Sequence, residues 1–313
     1  MKHEGIDERT AKEIEALRKR IKAAKIPSRK TDENLLVATW NIRNFGKGKP
    51  MRAIHYIAEI CDRFDVIAIQ EVKDSLLGLE RLQRLLGPYW KVIFSDPAGR
   101  KGGGNDERLA FLYDKRRVVP TGLASEIVLD WGPNDPSRLQ FARTPYCVSF
   151  RAGTFDFVLV TVHIRYAKKH PLAGRTREIA YLARWLKSRF QDADVFDPDV
   201  IVLGDFNIEM IGDQNFKTLV KEGFYIPPEI QKLRTNLGRD RHYDQIAYFR
   251  DQTDAEYAGQ AGTVDFVGAV YQELNQKAMS YKVSDHLPLW AEFDIDLGDY
   301  NLDQILNAFR RNG

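Results

Sequence analysis

From Leu35 onward the chain alternates between short apolar runs, helical stretches and Gly/Pro-bearing loops. The runs are Leu35–Trp40, Val66–Gln70, Trp90–Phe94, Ala110–Tyr113, Phe155–Val162, Val200–Leu203, Ile246–Phe249 and Leu287–Phe293. Each is short and rich in Val, Ile, Phe and Trp, as strands buried on both faces are. Apolar residues at helical spacing recur over Met51–Cys61, Leu76–Leu86, Arg175–Phe190 and Gln214–Val220. Strands outnumber helices and no βα unit repeats regularly. The pattern therefore predicts an α/β fold with two packed sheets and helices outside, rather than a doubly wound parallel sheet.

The first thirty residues differ. Ile14, Leu17, Ile21 and Ala24 form one narrow stripe on a helix from about Asp7 to Ile26, Glu15 and Lys19 pair at i,i+4, and Pro27 ends the helix. With no repeat and no interior linker, the expected division is a basic helical arm over 1–32, one large domain over 33–297, and a helical tail over 298–313. Residues 1–30 hold ten Lys or Arg against five Asp or Glu, so the overall charge of +3 leaves a net −2 for the other residues. Bulk charge thus gives the body no general grip on a polyanion. The arm reads either as a tether for nucleic acid or a second copy, or as a helix packed loosely on the domain.

No run reaches the ~18 apolar residues of a membrane span, and the charged N-terminus lacks the apolar block of a secretory signal. Cys61 and Cys147 sit in apolar surroundings and form no metal-binding pair. A reducing cytoplasm is the expected compartment. Three loops interrupt the regular pattern: the glycine-rich Ser95–Glu107, the Pro-rich Asp130–Pro145 and the basic Tyr166–Arg175.

The candidate chemistry stands at the ends of the runs. Leu35–Trp40 leads into Asn41, Val66–Gln70 into Glu71, Phe155–Val162 into His163, and Val200–Leu203 into Gly204-Asp205-Phe206-Asn207, while Ser284-Asp285-His286 opens the last run. Strand ends of one sheet lie close together, so these groups are expected to converge. Asn41, Glu71, Asp205, Asn207 and Asp285 offer hard oxygen ligands suited to Mg²⁺, Mn²⁺ or Ca²⁺ rather than Zn²⁺. His163 and His286 add proton transfer. Phosphodiester hydrolysis needs an activated water, a stabilised phosphorus centre and an aided leaving oxygen, and this set supplies all three.

The stretches TWNIRNF, IQEVKDS, VHI, LGDFN, YDQI and SDHLP resemble, in order, the motifs of the endonuclease/exonuclease/phosphatase superfamily, and QEVKDSLL, ERLAFLYD and FARTP resemble its deoxyribonuclease I-like branch. The likeness spans about Leu35 to Phe293. It implies a four-layered α/β sandwich with the site at one end of the sheets. It further implies that Glu71 and Asn41 hold Mg²⁺ or Mn²⁺ with Asp285 completing the site, Ca²⁺ being possible as a structural ion. His163 is expected to pair with Glu107 and His286 with Asp244, one imidazole serving the water and the other the leaving oxygen. Asp205 and Asn207 position metal, phosphate or nucleophile, and Arg143 and Lys73 meet backbone phosphates.

Asp265, in TVDFVGAV, competes with Asp244 as partner of His286; the position of YDQI before SDH favours Asp244. His170 and His242 read as loop histidines, Lys73 and Arg175 as residues that could merely decorate a solvated face, and Glu107 has an alternative as a salt-bridge carboxylate near Arg108. Two departures from the branch matter. The stretch matching FARTP has no disulfide-bearing loop ahead of it, and Asn105 stands where the branch places a groove-contacting tyrosine. The expected function is a divalent-metal-dependent phosphodiesterase, a nuclease hydrolysing DNA in preference to RNA. The rivals are a phosphatase or phospholipase of the same superfamily and a non-catalytic nucleic-acid-binding module.

Overall fold

Along Leu35–Ile42 successive side chains face opposite cores, Leu35 and Val37 one and Leu36, Ala38, Trp40 and Ile42 the other, and all are fully buried. That two-sided burial is why the run reads as continuously apolar. The computed structural model describes residues 3–99, 103–129, 140–166, 171–190, 199–254 and 256–296, with isolated positions beyond. All eight apolar runs are strands in it: β1 (Asn34–Phe45), β2 (Val66–Lys73), β3 (Trp90–Phe94), β4 (Glu107–Asp114), β7 (Phe155–His163), β8 (Val200–Asp205), β10 (Asp244–Phe249) and β12 (Leu289–Asp294). Four further strands were not anticipated: β5 (Val119–Glu126), β6 (Tyr146–Ala152), β9 (Phe224–Tyr225) and β11 (Tyr257–Thr263).

The strands make two six-stranded sheets, ordered β11-β12-β1-β2-β4-β3 and β5-β6-β7-β8-β10-β9. Each has one parallel pair at its centre, β1 with β2 and β7 with β8, and antiparallel neighbours elsewhere. The two crossovers are helices, α2 (Met51–Cys61) and α4 (Pro171–Phe190). With α1 (Glu8–Ala23) and α3 (Leu77–Leu86) beside α2, and α5 (Gln214–Lys221) beside α4, the layers run helix, sheet, sheet, helix. Three short helices, α6 (Pro228–Gln231), α7 (Arg250–Thr253) and α8 (Gln276–Lys282), fill connections in the C-terminal third. The expected four-layered α/β sandwich is the observed fold.

Two expectations change. Arg175 does not decorate a solvated face: it is 1% exposed, because α4 begins at Pro171 and so shortens the basic loop. His242 lies in a loop but is equally buried, and burial pulls its imidazole down to about 4. The tail over 298–313 and His170 fall outside the described residues, apart from isolated tail positions.

The N-terminal helix packs on the first sheet's helical layer. Asp7 caps it by accepting from the Thr10 amide at 2.7 Å, and Ile14, Leu17 and Ile21 join the core formed with α2. Glu13, also buried, accepts from the backbone amides of Tyr271 and Gln272 at 3.0 Å each, from Arg52 Nη2 at 2.6 Å and from the Tyr56 hydroxyl. Arg18 forks onto Glu59 at 2.8 and 2.6 Å. Cys61 and Cys147 are buried thiols, as expected.

Candidate active site

The site follows from topology. Parallel strands end together, so Asn41 and Glu71 of β1 and β2 share a rim with His163 and Asp205 of β7 and β8. Antiparallel neighbours start where these end. Glu107 therefore opens β4 opposite Lys73, Asp244 opens β10 opposite Asp205, and Asp285-His286 precedes β12 beside β1. Two bulges, within Asn41–Phe45 and Ile69–Val72, break the β1–β2 and β2–β4 registers at this rim and re-aim side chains as bulges beside active sites do. Among the described residues, eight non-glycine residues have positive φ, and five of them (Asn44, Glu71, Asn105, Asp106, Asn207) lie at the rim. Such conformations cost about 1–3 kcal/mol each and are held by the surrounding structure.

A polar cleft of about 400 Å³ opens here, lined by Asn41, Arg43, Asn44, Glu71, Gly103, Asn105, Glu107, Arg143, His163, Arg165, Tyr166, Asp205, Asn207, Asp285 and His286. Asp205 is its hub. Its Oδ2 accepts from Asn41 Nδ2 at 3.0 Å across the two sheets and lies 3.5 Å from His163 Nε2 and 3.8 Å from His286 Nε2. Its Oδ1 accepts from the Asn207 amide at 2.9 Å, and Asn207 Nδ2 donates to the Ile164 carbonyl at 2.7 Å. Deeper between the sheets, Gln70 Nε2 donates to Thr39 Oγ1 at 3.0 Å and to Thr161 Oγ1 at 2.9 Å, all three residues being fully buried.

Each imidazole is backed by a carboxylate. His286 Nδ1 lies 2.7 Å from Asp244 Oδ2, while Asp265 instead pairs with Arg239, so the choice of Asp244 over Asp265 matches the geometry. Burial depresses the His286 imidazole, but the charges of Asp244 and then Asp205 outweigh it and hold it at about 10. Trp40 Nε1 donates to the His286 carbonyl at 2.9 Å and the His286 amide to Ser284 Oγ at 3.0 Å, tying this loop to β1. On the other wall His163 Nδ1 lies 3.1 Å from Glu107 Oε2, off the line of a hydrogen bond.

Glu107 is more heavily engaged than expected. It meets Lys73 Nζ at 2.9 Å, Asn105 Nδ2 at 2.7 Å and the Arg143 guanidinium, and Arg108 pairs elsewhere, with Asp74 and Asp96. Burial opposes its charge, yet His163, Arg143 and Lys73 together hold the carboxyl far below the usual range. Both cations expected to meet phosphate therefore already share one carboxylate. Arg143 lines the cleft, and Lys73 is not among the lining residues.

The donor set fits a hard divalent cation. Asn41 Oδ1 is buried without a hydrogen-bond partner, and Glu71 has Oε2 held by the Asn44 amide at 2.8 Å. Asp285 is half exposed, with Oδ2 3.1 Å from Arg43 Nη1. Asp205, Asp244 and His286 also place one ligand atom each within 4.8 Å of one another, but there the close Asp244–His286 contact already takes one imidazole nitrogen.

Several supporting residues escaped the sequence reading. Lys49 is buried and donates to the carbonyls of Arg43 at 2.5 Å and Val283 at 2.9 Å; burial pulls it down to about 8 despite the nearby Glu71 and Asp285. Arg43 stacks on Tyr281 at 3.8 Å, and Arg175 Nη1 donates to the Asn207 carbonyl at 2.7 Å. A lysine between Gly48 and Pro50, or an arginine in the first turns of a helix, carries no sequence signal of burial.

The endonuclease/exonuclease/phosphatase family model matches residues 38–286. A deoxyribonuclease of Thioalkalivibrio sp. (strain K90mix) is 31% identical, over 83% of this chain and 71% of that protein. Deoxyribonuclease-1 of Bos taurus is 26% identical, over 82% and 91%. Among solved structures, truncated Caenorhabditis elegans TDP2 superposes with TM-score 0.56 at 16% identity over 83% of this chain and 97% of that one. A Bacteroides thetaiotaomicron mannosyl-6-phosphatase gives 0.55 at 17% over 83% and 99%; at such identities the likeness is one of fold. The chain belongs to the endonuclease/exonuclease/phosphatase family, in its deoxyribonuclease I-like branch.

Proposed function

We propose that the protein is a divalent-metal-dependent nuclease that hydrolyses DNA. The observation that carries the reading is the pair of carboxylate-backed imidazoles, His163 with Glu107 and His286 with Asp244, whose Nε2 atoms both approach Asp205 Oδ2. A phosphodiester seated between them has a group on each side for the two proton transfers of hydrolysis. One imidazole takes the proton of the attacking water at Nε2, and the other gives one to the leaving oxygen. The carboxylates behind them orient the rings and stabilise the imidazolium form.

Asn207, held by Arg175 and Ile164, presents its amide group to the phosphate, and Asp205 orients the water. Arg143 serves the phosphate from the Glu107 wall. Glu71 and Asn41 would hold Mg²⁺ or Mn²⁺, with Asp285 beside them; a bound cation there would neutralise charge developing on the phosphoryl oxygens. The deoxyribonuclease relatives favour DNA over the phosphomonoesters on which other branches act.

The test is a panel of duplex DNA, single-stranded DNA, RNA, phospholipid and inositol phosphates with Mg²⁺ or Mn²⁺, repeated in excess EDTA. DNA turnover that chelation abolishes and metal restores is expected. Undiminished activity in EDTA overturns the metal, and turnover confined to phospholipid or inositol phosphate overturns the nuclease.

A further inference from the structure

The loop after β7 carries Arg165 and Tyr166 directly from His163 into the cleft. Tyr166 is 49% exposed. It is not loose. The Arg175 guanidinium lies 4.6 Å from the ring centroid, and Tyr243 meets it edge-on at 6.4 Å, with Tyr243 in turn 5.6 Å from the His286 ring. A buried arginine that also holds the Asn207 carbonyl thus braces an aromatic surface at the phosphate site.

Arg165 complements it. No carboxylate pairs with its guanidinium among the described residues, whereas Arg43, Lys73 and Arg143 each have one. It lies against Gly103, where an added methyl carbon would stand 3.2 Å from the guanidinium carbon. Across the cleft, Asn105 turns back to Glu107 at 2.7 Å and offers no ring to a groove.

We propose that Tyr166 is a stacking platform for the nucleobase next to the scissile phosphate, with Arg165 on the flanking phosphate, so that the preferred substrate is single-stranded or end-frayed DNA. The inference rests on the nuclease reading above. A base inside a duplex already has both faces covered, so only an unpaired one can lie on an external ring without first being unstacked. Stacking of this kind is tolerant of sequence, since every base has a face to offer.

The experiment compares wild type, Tyr166→Ala, Tyr166→Phe and Arg165→Ala on a single-stranded oligonucleotide, its blunt duplex and a single strand with abasic sites flanking the cut, with thermal melting as a folding check. Wild type is expected to favour the single strand over the duplex. Tyr166→Ala should lower kcat/KM on the single strand by about 5- to 150-fold, the scale of one lost base stack. The phenylalanine variant should retain the rate, and wild type and alanine variant should converge on the abasic strand. Arg165→Ala should reduce the salt slope of binding by about one. Equal losses on intact and abasic strands, or a wild-type preference for duplex, overturn the platform and leave the nuclease standing. Wild type that cuts no DNA of any form overturns both.

Discussion

Leu17→Ala separates a docked helix from a tether. Leu17 is fully buried, with Ile14 and Ile21 on either side along the stripe. Truncating a leucine at such a position costs about 2–5 kcal/mol from lost transfer and the cavity left behind. With 313 residues at roughly 2.1 cal/mol/K each, the unfolding entropy near 60 °C is about 0.65 kcal/mol/K. The loss then corresponds to a fall in Tm of about 3–8 °C. Calorimetry measures it, with Lys12→Ala as control, since Lys12 is solvent-exposed and, among the described residues, pairs only with the exposed Glu8. Breaking that pair is expected to cost at most ~0.5 kcal/mol. KM on long DNA at low salt is measured beside it. A Tm within about 1 °C of wild type, outside the range from cavity arithmetic, would refute the packing argument. A rise in KM on long DNA with unchanged Tm would instead make the helix a tether.

Three further outcomes are expected. His163→Ala and His286→Ala should each lower kcat by about 10²-fold or more while melting as folded proteins; a wild-type rate in either removes that imidazole from the mechanism. Gly204→Ala should be severely destabilising, by roughly 3 kcal/mol or more, because Gly204 sits at φ +138° and a methyl carbon would stand 2.2 Å from the Val162 carbonyl oxygen; denaturant melting checks it, and a near-wild-type midpoint would contradict the β7–β8 register. Burial, and then Asp199, push Glu256 up to about 7. The unfolded chain ionises first, so this group's contribution to stability is present in acid and is lost as pH rises from about 4.5 through about 7. Glu256→Gln should flatten that slope and melt above wild type at pH 8; parallel melting curves against pH would count against it.

The parts visible in the sequence share a physical reason. Central strands are buried on both faces and so read as apolar runs, and the groups that follow them have nowhere to go but the rim. Edge strands carry that signature unevenly: Trp90–Phe94 of β3 reads as an apolar run, whereas β5 and β11 do not. VPTGLASE and YAGQAGT are half exposed and broken by glycine, and neither was anticipated. YCVSFRA is buried along nearly its whole length, and its apolar signal is interrupted by Ser149 and Arg151 and preceded by a proline-bearing loop. The structure brings most of the candidate residues to one rim, but their mutual engagement is not legible in the sequence. Lys73 and Arg143 look like free cations until Glu107 is seen between them, and Arg175 looks like a surface residue until α4 starts ahead of it.

The buried Thr39–Gln70–Thr161 link bears on how the two walls of the cleft stay matched. Apolar contacts between methyl and phenyl groups resist sliding through the fit of interdigitated side chains and have no preferred angle. Hydrogen bonds depend on angle as well as distance. One glutamine bridging β2 to β7 thus gives the sandwich a transverse key, a directional lock against shear added to that of its hydrophobic filling. Glu71 and His286 ride on one sheet side of that key, His163 and Asp205 on the other. The spacing of the reacting groups is therefore set at two depths, by this buried key and by the Asn41–Asp205 and Asp244–His286 contacts across the rim.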